Sequence, residues 1–130
     1  MTALRILVVD DDVDVRETIA EALADEGFEV VVAENGLAAL ERLRGGVRPD
    51  VILLDIMMPV MDGWEFRAAQ RAEPAIASIP VVIFTASGVS KETADELGAQ
   101  GHLRKPLRFE ELLRTVNRFA GPERPDDAAG

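Results

Sequence analysis

Hydrophobic positions along the chain follow two alternating patterns. Short, nearly continuous apolar runs occupy Ile6 to Val9, Phe28 to Ala33, Val51 to Ile56, Ile79 to Thr85 and, briefly, His102-Leu103. The first, third and fourth are rich in Val, Ile and Leu, as suits parallel strands buried on both faces. Between the runs, apolar residues recur at helical spacing. Val15, Ile19, Ala22 and Leu23 share one face of a helix that Gly27 ends. Leu37, Leu40 and Leu43 share another, stopped by Gly45-Gly46, and Phe109, Leu112, Leu113, Val116 and Ala120 form a third, closed by Gly121-Pro122. Trp64 to Ala72 predicts a less amphipathic helix. Ser90 to Leu97 is the least patterned, because only Ala94 and Leu97 recur.

Five strands in strict alternation with five helices predict an α/β fold, a parallel sheet covered by helices on both faces. One domain over residues 1–121 accounts for the whole pattern, and the polar segment 122–130 is expected to be a disordered tail. A chain of 130 residues can bury a sizeable core without a disulfide or structural metal.

Composition narrows the function. There is no cysteine, which removes thiol chemistry and Cys-based zinc sites. A net charge of −10 argues against direct contact with nucleic acid or anionic lipid. No apolar run approaches the ~20 residues of a membrane span, and the N-terminal run ends in carboxylates, unlike a signal peptide. A cytoplasmic protein is the expectation.

Candidate chemistry sits where the strands end. In an open α/β sheet, ligands bind beyond the carboxyl ends of the strands. The first run ends in Asp10-Asp11-Asp12, the third in Asp55, the fourth in Thr85, and Lys105 follows the last. Carboxylates gathered within about 4–6 Å raise one another's pKa unless a cation intervenes. Hard oxygen ligands suit Mg²⁺. A carboxylate can also serve as a nucleophile and form an aspartyl phosphate. Lysine offers a compact positive charge to phosphoryl oxygen, and a threonine hydroxyl can donate one more hydrogen bond. Together these parts describe a metal-assisted phosphoryl acceptor. Lys105 is also one of only two lysines among 14 basic residues, the other being Lys91, so its placement at a strand end carries some information.

Four motifs in order give the chain a family likeness over roughly residues 4 to 120: Ile6-Leu7-Val8-Val9-Asp10-Asp11, Asp55-Ile56-Met57-Met58-Pro59-Val60-Met61-Asp62-Gly63, Phe84-Thr85-Ala86 and Lys105-Pro106. In these it resembles the response-regulator receiver domains of two-component signalling. The resemblance implies a flavodoxin-like strand order 2-1-3-4-5 and a role for each matching residue. Asp55 matches the phosphoacceptor, Asp11 the main Mg²⁺-ligating carboxylate and Asp10 the one that acts through water. The Met57 position supplies a backbone carbonyl to the metal, Thr85 a hydroxyl that senses the phosphoryl group, and Lys105 the cation paired with the acceptor. A histidine kinase or phosphotransfer protein is the implied donor. The implied output is phosphate relay or a downstream protein bound on the fourth helix, fifth strand and fifth helix, roughly Ser90 to Asn117. Such a domain assists only its own phosphorylation and dephosphorylation and is not an enzyme in the usual sense.

Several residues have a plainer reading beside the functional one. Asp12 and Asp14 stand at a helix start, where acidic side chains cap and favour the dipole. Asp62 reads as a turn residue beside Gly63. Met58 reads as packing, while Met57, with Ser87, flanks the acceptor. His102 departs from the family, which places Tyr or Phe there as a switch. It reads either as a surface imidazole on an edge strand or as a pH-sensitive switch, and no second His exists to make it a metal ligand.

Two competing functions remain at this stage. A haloacid-dehalogenase-type phosphatase would use Asp10 and Asp12, but Asp14 stands where that family wants Thr or Val, and Asp55 would go unexplained. A receiver-like module that is never phosphorylated usually lacks one of the residues kept here.

Overall fold

The computed structural model describes residues 4–85, 91–105 and 108–120. Its elements alternate along the chain: β1 (Arg5–Val9), α1 (Val13–Asp25), β2 (Glu29–Ala33), α2 (Gly36–Arg44), β3 (Val51–Leu54), α3 (Gly63–Arg71), β4 (Val81–Thr85), α4 (Lys91–Leu97), β5 (Gly101–Arg104) and α5 (Phe109–Ala120). The five strands form one parallel sheet in the order β2-β1-β3-β4-β5. The segment 122–130, Ser87, Pro106 and the two ends of the 1–121 span lie outside the described residues.

Strand alternation builds two cores. Leu7, Val9, Ile52, Leu54, Val81 and Ile83 face the helices α2, α3 and α4, whose Leu40, Leu43, Phe66 and Leu97 cover them. Ile6, Val8, Val51, Leu53, Val82 and Phe84 face α1 and α5, covered by Ile19, Leu23, Leu112 and Val116. Because both faces are buried, the central strands read as unbroken apolar runs.

The structure amends some details of the pattern. Leu37 and Phe109, expected on apolar faces, are exposed; each is in the first turn of its helix, beyond the reach of the sheet. In α2 the buried positions are instead Gly36, Ala39, Leu40 and Leu43. Asp62 is the N-cap of α3 rather than a simple turn residue. Its side chain accepts from the Glu65 backbone N–H at 2.9 Å, while the Glu65 side chain accepts from the Asp62 backbone N–H at 3.0 Å. Two of the buried positions of α3 are polar, so an apolar pattern shows only part of its inward face. Arg67 donates from Nε to the Leu97 carbonyl at 2.7 Å, from Nη2 to the Gly98 carbonyl at 2.8 Å and from Nη1 to Gln70 Oε1 at 2.7 Å. The Gln70 amide in turn donates to the carbonyls of Ile76 and Ile79. A buried guanidinium from α3 thus satisfies carbonyls that the end of α4 leaves open.

Candidate functional site at the carboxyl edge

Strand register brings the sequence candidates together. Val9 of β1 pairs with Leu54 of β3, so Asp10 and Asp55, each one residue further, leave the sheet side by side. The ladder continues through them: the Asp10 amide donates to the Ala33 carbonyl at 3.1 Å and the Asp55 amide to the Val9 carbonyl at 3.0 Å. Across the sheet, Thr85 ends β4 in register with Arg104, and Lys105 follows directly.

Lys105 ties the carboxylates together. Its Nζ donates to Asp10 Oδ2 at 2.7 Å and lies 3.4 Å from Asp55 Oδ2. The ammonium also sits 5.0 Å from the centroid of the Phe84 ring, a cation–π contact on the strand that carries Thr85. Asp10 is fully buried and held on all sides. Its Oδ1 accepts from the Asp12 amide at 2.9 Å, and Arg16 Nη1 donates to its carbonyl at 2.8 Å. Asp12 itself caps α1, accepting from the amides of Asp14 and Val15. Asp14 is the acidic residue of the first turn, so the capping reading of this pair agrees with the structure.

Electrostatics mark Asp55. Burial pushes its carboxyl above the ordinary carboxylate range, and the nearby Asp10 charge adds to this, against the opposing pull of Lys105. Burial alone would lower the Lys105 ammonium, but its hydrogen bond to Asp10 and the charges of Asp55 and Asp10 outweigh burial and hold it above the ordinary lysine value. One cation therefore serves two carboxylates, and the edge remains short of positive charge.

The residues fit a hard divalent cation. One carboxylate oxygen each from Asp10, Asp11 and Asp55 lie within 4.8 Å of one another. Two ligands of one octahedral Mg²⁺ at about 2.1 Å stand no more than ~4.2 Å apart, so a small side-chain adjustment or one bridging water closes the set. All three donors are oxygens, as Mg²⁺ prefers and as zinc sites seldom are. Asp11 is exposed and free to turn toward an ion. The Met57 amide lies 3.4 Å from Asp55 Oδ1, which sets the Met57 backbone beside that carboxylate, while its side chain is exposed and Met58 is buried in the core.

The loop between β3 and α3 is built to hold Asp55 in place. A Cβ on Gly63 would stand 2.8 Å from the Ile56 Cα and 3.0 Å from the Asp55 carbonyl oxygen. Only glycine lets α3 begin this close to the Asp55 and Ile56 backbone, where the Gly63 amide donates to the Ile56 carbonyl at 2.8 Å. His102 lies on edge strand β5, opposite Ile83, with its side chain exposed, as the surface reading expects. Sequence reasoning missed Arg16, which fixes the Asp10 carbonyl. It stands in the first turn of α1, where a lone arginine is a faint signal at best. It also missed the buried pair Arg67 and Gln70, which no pattern of apolar residues can reveal.

Comparison with known proteins agrees with this geometry. The model of the response regulator receiver domain matches residues 6–117. The response regulator MprA of Mycobacterium leprae is 38% identical over 128 residues, covering 97% of this chain and 55% of that protein, so the chain spans about half the length of the curated relatives it matches. Among solved structures, the Vibrio cholerae chemotaxis protein CheY4 superposes with a TM-score of 0.84 at 35% identity, over 91% of this chain and 99% of that one. The receiver domain of the sensor histidine kinase PA1611 from Pseudomonas aeruginosa, solved with a magnesium ion coordinated in its active-site cleft, superposes with a TM-score of 0.82 at 29% identity, over 92% and 99% of the two chains. The motifs, the 2-1-3-4-5 sheet and the match across 6–117 converge, and the chain belongs to the response regulator receiver domain family.

Proposed function

We propose that the domain accepts a phosphoryl group on Asp55 from a histidine kinase or phosphotransfer protein and signals through the change that follows. The observation that carries this reading is Lys105 Nζ shared between Asp10 and Asp55 at an edge with three carboxylates. An Asp55 carboxylate oxygen attacks phosphorus. The new O–P bond forms as the P–N bond to the donor's imidazole breaks, and that nitrogen keeps the electron pair. Lys105 is placed to follow the charge from the carboxylate onto a phosphoryl oxygen. The Thr85 hydroxyl donates to another, and Asp10, Asp11, Asp55 and the Met57 carbonyl would hold Mg²⁺. When bound, that ion neutralises developing phosphoryl charge. His102 on β5 takes the switch position. The chain acts as a phosphoacceptor rather than as an enzyme with turnover, and the cytoplasm is its proposed compartment. Among the described residues, no helix is long and apolar enough to cross a membrane.

Output is assigned to the face of α4, β5 and α5, through altered binding of a downstream protein or onward transfer of the phosphate. Contact with nucleic acid through this domain is disfavoured by its net charge of −10. The experiment is labelling by acetyl phosphate with Mg²⁺. Intact mass should rise by one phosphoryl unit in the parent and stay unchanged in Asp55→Asn. Without Mg²⁺, labelling should fall steeply. Labelling that persists in Asp55→Asn would remove the assignment. A parallel melt should show Mg²⁺ adding about 1.4 kcal/mol at ten times its dissociation constant.

A further inference from the structure

Of the three carboxylates at the edge, Asp11 alone is exposed, yet one of its oxygens lies within 4.8 Å of oxygens on buried Asp10 and Asp55. An exposed side chain takes its direction from its backbone, and the backbone on both sides of Asp11 is tied down. On the far side, the Asp12 amide donates to Asp10 Oδ1 at 2.9 Å, a turn closed by a side chain two residues back. The Asp12 carbonyl then accepts from the Arg16 amide at 3.0 Å, and the Asp12 carboxylate caps the amides of Asp14 and Val15.

Arg16 makes the tie on the near side. The Asp10 amide donates to the Ala33 carbonyl at 3.1 Å, and β2 ends at Ala33, so the ladder stops before the Asp10 carbonyl. Half-buried Arg16 reaches back from α1 and donates to that carbonyl from Nη1 at 2.8 Å. Asp10 is fully buried, where a carbonyl without a donor is costly. The bond does more than satisfy an oxygen. This carbonyl belongs to the peptide that joins Asp10 to Asp11. A peptide is planar and trans, so the Asp11 N–H points away from the oxygen that Arg16 holds. With that plane fixed before Asp11 and Asp12 fixed after it, the direction in which the Asp11 side chain leaves the chain is set.

We propose that Arg16 is a positioning residue for the divalent cation: by holding the Asp10 carbonyl it keeps the Asp11 carboxylate beside Asp10 and Asp55, so the affinity of the edge for Mg²⁺ depends on it. The proposal rests on the reading of this edge as a Mg²⁺-assisted phosphoacceptor. It also makes a claim about sign. A guanidinium this near the acidic cluster repels Mg²⁺, so charge alone would make its removal tighten binding. Positioning demands the reverse, that removing a positive charge weakens the hold on a positive ion. The bond that matters goes to a main-chain oxygen rather than to a carboxylate, so Arg16 acts through Asp10 and Asp11.

The test is calorimetric titration of the full chain with Mg²⁺ at constant ionic strength, on the parent, Arg16→Ala, Arg16→Lys and Ile19→Val. Arg16→Ala should weaken Mg²⁺ binding about tenfold, as expected when a group that orients a metal ligand is lost. Arg16→Lys keeps the charge and one donor on a shorter stem, so its affinity should fall between the two, about threefold below the parent. It also keeps the comparison open should Arg16→Ala not fold. Ile19→Val loosens the packing of α1 and leaves Arg16 in place, so its Mg²⁺ affinity should stay within about twofold of the parent. Labelling of Arg16→Ala by acetyl phosphate should be slow at low Mg²⁺ and return to within about twofold of the parent at saturating Mg²⁺. Unchanged or tighter Mg²⁺ binding in both Arg16 variants would mean that the arginine does not aim Asp11. Equal weakening in Ile19→Val would mean that it merely holds α1 in place. A labelling defect that persists at saturating Mg²⁺ would assign Arg16 to the transfer step instead. Each of these three results overturns the proposal. A parent that binds Mg²⁺ but takes no phosphoryl group would instead remove the phosphoacceptor reading, while the Mg²⁺ affinities still decide the role of Arg16.

Discussion

The two faces of the sheet are sealed by different means. Among the described residues, the core under α1 and α5 is apolar, from Ile6 and Val8 through Leu23 to Leu112 and Val116. Under α2, α3 and α4 an apolar layer of similar kind surrounds a polar inclusion, Arg67 and Gln70, fully hydrogen-bonded to carbonyls and to each other. The first face is held by burial that any well-packed apolar side chain could supply. The second is held at one point by a group whose geometry cannot be exchanged, because each guanidinium nitrogen donates to a particular oxygen. Among the described side chains of α4, Leu97 is the one in the buried apolar cluster, and Arg67 adds directed bonds at the end of this short helix. The difference teaches that α1 and α5 are coupled to the sheet as a whole, whereas α4 is coupled to α3 through its C-terminal end.

The largest effect should come from the apolar face. Leu23→Ala removes a fully buried side chain and should cost about 2–5 kcal/mol, read as a lower urea midpoint with an unchanged slope. Hydrogen exchange should show the loss spread over all five strands. Arg67→Met should cost less, on the order of 1–3 kcal/mol, because it strands the carbonyls of Leu97 and Gly98 and the side-chain oxygen of Gln70. Here the loss should be local: amides of residues 91–97 should exchange faster while those of β1 and β3 remain protected. Uniform loss of protection in Arg67→Met would erase the contrast between the faces.

The smallest effect lies outside the polar face, where Arg44 of α2 pairs with Glu73 just past α3. The hydrogen bond from Arg44 holds the Glu73 carboxyl below its ordinary value. A depressed carboxylate contributes stability that is present above the unfolded pKa and is lost as pH falls through the folded one. Glu73→Gln should therefore flatten the acid limb of the stability curve slightly and change little at neutral pH, because the pair is open to solvent and screened. Urea midpoints of the two proteins across the acid range check this. A large neutral-pH loss would mean that the pair carries structural weight its exposure does not suggest.

Most of the architecture was legible in the sequence because it depends on alternation. Buried parallel strands show as unbroken runs such as Val51 to Leu54, and helices such as α1 show as stripes. The site was legible because its residues stand directly after strand ends, where register alone brings Asp10 to Asp55. What escaped detection depends on contacts between elements. Arg67 and Gln70 look like solvent-facing residues in a helical pattern until the end of α4 is placed against them. Leu37 and Phe109 fit apolar stripes by spacing, but a first helical turn can overhang the sheet. Asp62 shows its capping role only once Glu65 is seen to reach back.

The bond between Lys105 and Asp10 joins residues 95 positions apart in the chain. During synthesis the acidic cluster leaves the ribosome first, and at about 5–20 residues per second its ammonium follows roughly 5–20 s later. Asp55 precedes Lys105 by 50 residues, so both carboxylates have been synthesised about 2.5–10 s before their protein counter-ion. The site is therefore among the last features of the molecule to be completed, and a chain halted before β5 carries Asp55 without the lysine that completes its setting. In this way the cation's late position makes chemical competence a report that the sheet is whole.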